Sequence, residues 1–232
     1  MRLLKADYRQ LVARGIVSSI LFIALYLITA VLLGAILYGI YSAGIISLNS
    51  FNFMLEAEIL LSLSVAVFLH GRFYKGNHLV DTLRSLGLTA DRLSANAIWI
   101  GTLLFIIILL FEMAISAFGS FSNTVINTNT SILFTGAPVW FYIFVAVIEP
   151  INEEIFFRGF LVNRIGIIPS ALIFGLLHAS YNSTFAVEVI GATVFGLLAG
   201  YVFRKSDSLY PSLITHILIN SMGVLAIVGT LG

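Results

Sequence analysis

The sequence predicts an all-α protein, a polytopic transmembrane bundle of about seven helices. Three observations carry this. Hydrophobic residues make up 59% of the 232 and charged residues only 10%, with a mean hydropathy of +1.05; a soluble domain carries roughly 25% charged residues. With so few charges the chain cannot cover a water-facing surface, so lipid is its solvent. Apolar runs of spanning length recur along the chain. All twelve basic residues then sort to one side of the membrane.

The first span, 16–41, follows Arg2, Lys5, Arg9 and Arg14. Its apolar run is longer than the roughly 7–15 residues of a signal-peptide core, so it reads as a retained span. The next are 53–70 and 97–118. The segment 119–137 is polar, uncharged and turn-rich, and reads as a loop. Then come 138–160, 167–180, 185–203 and 209–230. A crossing takes about 20 apolar residues. The fifth segment is shorter, which predicts a tilted, re-entrant or shielded helix. No internal repeat or second domain is visible, so 1–232 reads as one integral membrane domain.

Orientation follows from the excess of Lys and Arg on cytoplasmic loops. A cytoplasmic N-terminus and seven crossings put 1–15, 71–96, 161–166 and 204–208 inside. These segments and the adjoining end of span four hold every basic residue, among them Arg72, Lys75, Arg84, Arg92, Arg158, Arg164, Arg204 and Lys205. In a prokaryote the membrane would be the plasma membrane. The net charge of +1 gives no footprint for nucleic acid. The absence of cysteine excludes disulfides, thiolate metal sites and a cysteine nucleophile.

Ionisable groups at membrane depth are costly, so each is a functional candidate. Glu154 and Arg158 are four apart, share a helix face and can pair. Glu153 falls on a neighbouring face with no local cation, which suits it to trade protons. Pro150 removes a helix hydrogen bond and predicts a kink just before the glutamates. Phe174 and His178 are four apart, so the ring can pack beside the imidazole. His216 and Asn220 are four apart in the last span, and both can donate hydrogen bonds; such a pair could hold a developing oxyanion. At 1.5 Å rise per residue all of these groups fall in one layer, between the cytoplasmic interface and the midplane.

Together Glu153-Glu154-Ile-Phe-Phe-Arg158, Phe174-Gly-Leu-Leu-His178 and His216-Ile-Leu-Ile-Asn220 resemble the CPBP family. These are intramembrane endopeptidases related to type II CAAX prenyl proteases and bacteriocin-immunity proteins. The resemblance covers about 149–222, inside a core of about 138–230. It implies that Glu153 activates the attacking water with help from His178. It implies that His216 and Asn220 stabilise the oxyanion, and that Glu154 and Arg158 form a supporting pair. The implied site is a polar cavity between spans four, five and seven. The implied substrate is a membrane-anchored peptide; the resemblance permits a prenylated CAAX substrate without requiring one. No cofactor is expected. The alternative is a divalent metal such as zinc on Glu153, His178 and His216, but no compact pair such as His-Glu-x-x-His is present. Seven spans are one fewer than the eight usual in the eukaryotic enzymes.

Other polar residues read more plainly. Glu56, Glu58 and Glu188 fall near the outer interface. His70 and His78 flank a basic loop and read as solvated. Glu112 faces the bundle or a cavity, and Glu149, one turn before Glu153, either joins the site or faces a neighbouring helix. Arg84 and Arg92 read as lipid-headgroup contacts. The chain has no Gly-x-Ser-x-Gly, His-Glu-x-x-His or Gly-x-Gly-Asp, so serine, zinc site-2-like and presenilin-like plans have no residues to run on. The competing reading is non-enzymatic: an immunity or binding protein, or a small transporter, that keeps the polar cluster as a helix-specifying network. The sequence leaves the oligomeric state open.

Overall fold

The computed structural model of the protein describes residues 2–121, 137–180 and 185–231, without the side chains of 2–13, 116, 118–121, 180, 185–187 and 230–231. Among the described residues every regular element is helical. The chain is an integral membrane protein with a helical bundle architecture. The loop expected at 119–137 lies almost wholly outside the described residues.

The chain divides into two compact units, 1–82 and 83–232. In the first, α1 (Arg2–Ser42) and α2 (Leu48–Lys75) form an antiparallel hairpin. Tyr41 packs on Phe51 near the turn, with ring centroids 4.8 Å apart, and Tyr74 donates to the Arg14 carbonyl at 3.0 Å at the other end. Ser47 caps α2 by accepting from the Ser50 N–H. Two expectations fail here. His70 is 1% exposed rather than solvated. It bonds the Ser18 hydroxyl at 2.9 Å and stacks on Tyr74. Glu58 is buried too, and accepts from Ser62 Oγ at 2.7 Å. Both are polar groups in an apolar hairpin, where burial is tolerated once a hydrogen bond is made. Glu56 and His78 are exposed.

The second unit begins within a short helix, α3 (Leu79–Ser85), and a turn, Ala90–Arg92, leading to α4 (Ala95–Phe121). Next comes a broken helix over 139–165, called α5. Then follow α6 (Ile167–Leu177), α7 (Phe185–Ser206) and α8 (Tyr210–Leu231). Among the described residues, four helical stretches are long and apolar enough to cross a membrane: Arg14–Ser42, Leu48–Lys75, Ala95–Ile115 and Tyr210–Gly229. The three further expected spans fall on α5, α6 and α7. At 1.5 Å per residue α6 is only about 16 Å long, short of a hydrocarbon core of about 30 Å.

Close helix contacts are made where side chains vanish. A Cβ on Gly101 of α4 would lie 2.7 Å from the Pro211 carbonyl oxygen of α8. One turn along α8, Thr215 Oγ1 donates to the Gly101 carbonyl at 2.8 Å. A Cβ on Gly175 of α6 would lie 2.8 Å from the Val189 carbonyl oxygen of α7. Against these seams lies a core of Leu104, Ile108, Phe157, Phe174, Phe195 and Ala199.

The α5 segment, on the span expected at 138–160, is not one continuous α-helix. It runs Val139–Ile143 as α-helix, Phe144–Ile148 as a π turn, Glu149–Glu154 as α, Ile155–Leu161 as a second π turn and Val162–Ile165 as α. The kink expected at Pro150 takes this form. Proline fits the first turn of the inner α piece, where its missing N–H does least harm.

Gly101→Val forces a side chain against the Pro211 carbonyl. Overpacking costs about 1–3 kcal/mol. The thermal midpoint in detergent should therefore fall by roughly 2–12 °C, while Gly101→Ala should cost less.

Candidate active site

The site is built on α5 and closed by α6, α7 and α8. Glu154 and Arg158, one turn apart on α5, form an ion pair with Nη1 to Oε1 at 2.9 Å. Their side chains are 0% and 1% exposed. No surface pair could be so placed without loss, because neither charge keeps its water. The guanidinium is instead cushioned by two neighbouring aromatic rings: its central carbon lies 4.3 Å from the Phe174 ring centre and 4.6 Å from that of Phe195. Cations sit favourably over aromatic faces, more so when desolvated.

His216 of α8 reaches the same carboxylate, with Nδ1 3.0 Å from Glu154 Oε1. A carboxylate only accepts, so Nδ1 carries the proton and donates it. The other ring nitrogen, Nε2, lies 3.5 Å from Glu153 Oε2. One imidazole thus stands between two adjacent carboxylates. The two differ in access: the Glu153 side chain is 11% exposed, against none for Glu154. Helix geometry makes this split, since successive residues point about 100° apart. Glu154 turns to Arg158, and Glu153 turns to the open side.

His178 is held from its own helix. Its Nδ1 donates to the Phe174 carbonyl at 2.8 Å, and its ring packs on Phe174 at 4.4 Å. Nε2 is then the atom free to accept a proton. His178 lies within electrostatic reach of Arg158 and Glu188. Among the described residues no hydrogen bond or ion pair joins it to Glu153 or His216. Phe174 links the two imidazoles instead, 5.9 Å from His216 and edge-on to it.

Asn220 makes a bond that the sequence reading did not include. It shares the His216 face of α8, but its Nδ2 donates to the Val145 carbonyl in the first π turn at 3.0 Å. Glu149 closes that turn with its backbone N–H on the Phe144 carbonyl. Glu112 is half-buried in α4 and makes none of these bonds. Among the described residues, no group of three His, Cys, Asp or Glu side chains is arranged to hold a metal ion.

Sequence reasoning missed Phe195. It presents its ring to Arg158 and, 4.9 Å from His216, packs against that imidazole. It belongs to α7, so the polar cluster has a fourth wall beyond the three spans expected. Nothing in Val194-Phe195-Gly196 separates this ring from the lipid-facing apolar residues around it.

Fold and site together describe a helical membrane protein with a buried carboxylate–imidazole cluster. The family comparison is specific. Residues 135–222 match the model of type II CAAX prenyl endopeptidases, Rce1-like. The matched range holds every residue of the cluster. The chain is 28% identical over 128 residues to a Bacillus subtilis protein, "Uncharacterized protein YpbD", covering 54% of this chain and 66% of that one. It is 30% identical over 110 residues to "Probable CAAX prenyl protease 2" of Schizosaccharomyces pombe, covering 37% of this chain and 41% of that one. The chain thus spans less than two thirds of these curated relatives. No solved structure matches it.

Arg158→Leu leaves Glu154 as a buried charge without its cation. Breaking such a pair costs about 3–5 kcal/mol, to be read as a lowered thermal midpoint. Glu154→Gln combined with Arg158→Leu removes the stranded charge, and should regain at least half of the loss.

Proposed function

We propose that the protein hydrolyses a peptide bond of a membrane-anchored substrate by a glutamate-activated water, with no metal required. The observation that carries this is the asymmetry of the two neighbouring glutamates. Glu154 is wholly buried and spent on Arg158 and His216. Glu153 keeps an exposed edge and a nearby imidazole.

In this reading Glu153 takes a proton from water while the water oxygen attacks the scissile carbonyl carbon. The π electrons of the carbonyl move onto its oxygen, giving a tetrahedral oxyanion. His216 and the second N–H of Asn220 are the donors placed to stabilise it. His216 acts there through Nε2, the nitrogen that faces Glu153. When the intermediate collapses, the carbon–nitrogen bond breaks and the leaving amine takes the proton from Glu153. His178 Nε2 assists that transfer. Water is consumed, and a carboxylic acid and an amine are released.

The substrate class follows from the family match and the membrane setting. A peptide tethered by a lipid, a prenylated CAAX-type end being the first candidate, would bring its scissile bond to the depth of Glu153. The likeness to the Schizosaccharomyces pombe protein supports that choice.

The test pairs the unmutated protein with Glu153→Ala in detergent or vesicles, on a fluorogenic farnesylated peptide. Equal thermal midpoints and a loss of about 10²–10⁴-fold in kcat are expected. Turnover should survive EDTA and 1,10-phenanthroline. Equal cleavage by both proteins sinks the role of Glu153, chelator-sensitive turnover sinks the metal-free reading, and no cleavage by either sinks the substrate choice.

A further inference from the structure

A backbone accounting of the first π turn gives Asn220 a second task. In a regular α-helix the Val145 carbonyl would take the N–H of residue 149. That N–H is used by the Phe144 carbonyl. In the π register the donor to Val145 would come from residue 150, and Pro150 has no N–H. The Val145 carbonyl is thus left without a helix donor, at a depth where water is scarce and an unmet carbonyl is costly. Asn220 Nδ2 meets it at 3.0 Å.

We infer that Asn220 is a positioning residue: its amide supplies the donor that Pro150 cannot, and so ties α8 to the π turn that sets the rotation of Glu153 toward His216. The placement of His216 and Asn220 four residues apart makes this a two-point attachment. One face of α8 holds Glu153 and Glu154 through the imidazole and the preceding turn of α5 through the amide. Without the second point, the polar attachment of α8 to α5 is confined to the two glutamates, through His216 and Ser212, and the rotation of α5 beyond Pro150 loses its clamp. The catalytic half of this inference rests on the proteolytic reading above; the structural half does not.

The experiment is a double-mutant cycle on the full chain in detergent, with Asn220→Leu (similar in shape, no donor), Pro150→Ala and the pair. Asn220→Leu is expected to lower the thermal midpoint by about 2–4 °C in the parent. With alanine at 150 its loss should be less than half as large, because the restored N–H serves the stranded carbonyl. Pro150→Ser repeats the comparison should the alanine variant fold poorly. Additive midpoint losses would overturn the inference. On the farnesylated peptide, the kcat losses of the two substitutions should combine to less than their product, with KM within about twofold. Losses that multiply would make Asn220 a direct oxyanion donor only, and would overturn the positioning role. A parent without turnover would fail the proteolytic reading, while the midpoints still decide this one.

Discussion

Much of this unit depends on one buried ion pair. Glu154 and Arg158 sit a turn apart on a helix at membrane depth, with their side chains almost fully removed from solvent. In lipid neither charge can be left alone. Phe174 and Phe195 bring their rings against the guanidinium, His216 donates to the carboxylate, and Phe157 completes the aromatic wall by meeting Phe174 edge-on. Four helices are thereby fixed around one pair: α5 carries it, and α6, α7 and α8 each supply a side chain that only makes sense against it. The catalytic candidates inherit their positions from this arrangement.

The same constraint governs the backbone. In the two π turns of α5, side chains add donors to backbone carbonyls. Asn220 Nδ2 of α8 donates to Val145, Ser170 Oγ of α6 donates to Phe157 at 3.1 Å beside the Val162 N–H, and within α5 Asn163 Nδ2 donates to Gly159 at 2.9 Å. Irregular backbone at membrane depth persists only where protein groups replace water in this way. The irregularity is concentrated on α5, either side of the glutamates, as π turns at functional sites often are.

How far this was legible in the sequence depends on the range of the interaction. The Glu154–Arg158 pair is one helical turn, so its spacing announces it. Phe174 against His178 is the same case, and both were found. Membrane character was legible because composition alone decides it. Phe195 was not, since an aromatic in an apolar helix has no local mark of the cation it covers; that cation lies 37 residues away in sequence. His70 was misread because burial against Ser18 and Tyr74 is a tertiary fact, while its sequence neighbours Arg72 and Lys75 suggested water. The Asn220 bond was hidden for a subtler reason. Its partner is a backbone carbonyl, and the need for a donor there arises only after Pro150 and the π turn are considered together.

The division of labour between Glu153 and Glu154 then follows from helix geometry more than from chemistry. Two identical side chains in sequence differ by a rotation of about 100°. That rotation commits Glu154 to a cation and leaves Glu153 at the edge of the core with 11% of its side chain exposed. A shared imidazole bridges them, Nδ1 toward the buried carboxylate and Nε2 toward the accessible one. Because Nδ1 must donate to Glu154, any proton that His216 gains or gives on the reactive side passes through Nε2. The buried pair therefore does more than hold the helices: through one imidazole it fixes which nitrogen faces Glu153, and so which atom is available where water can enter.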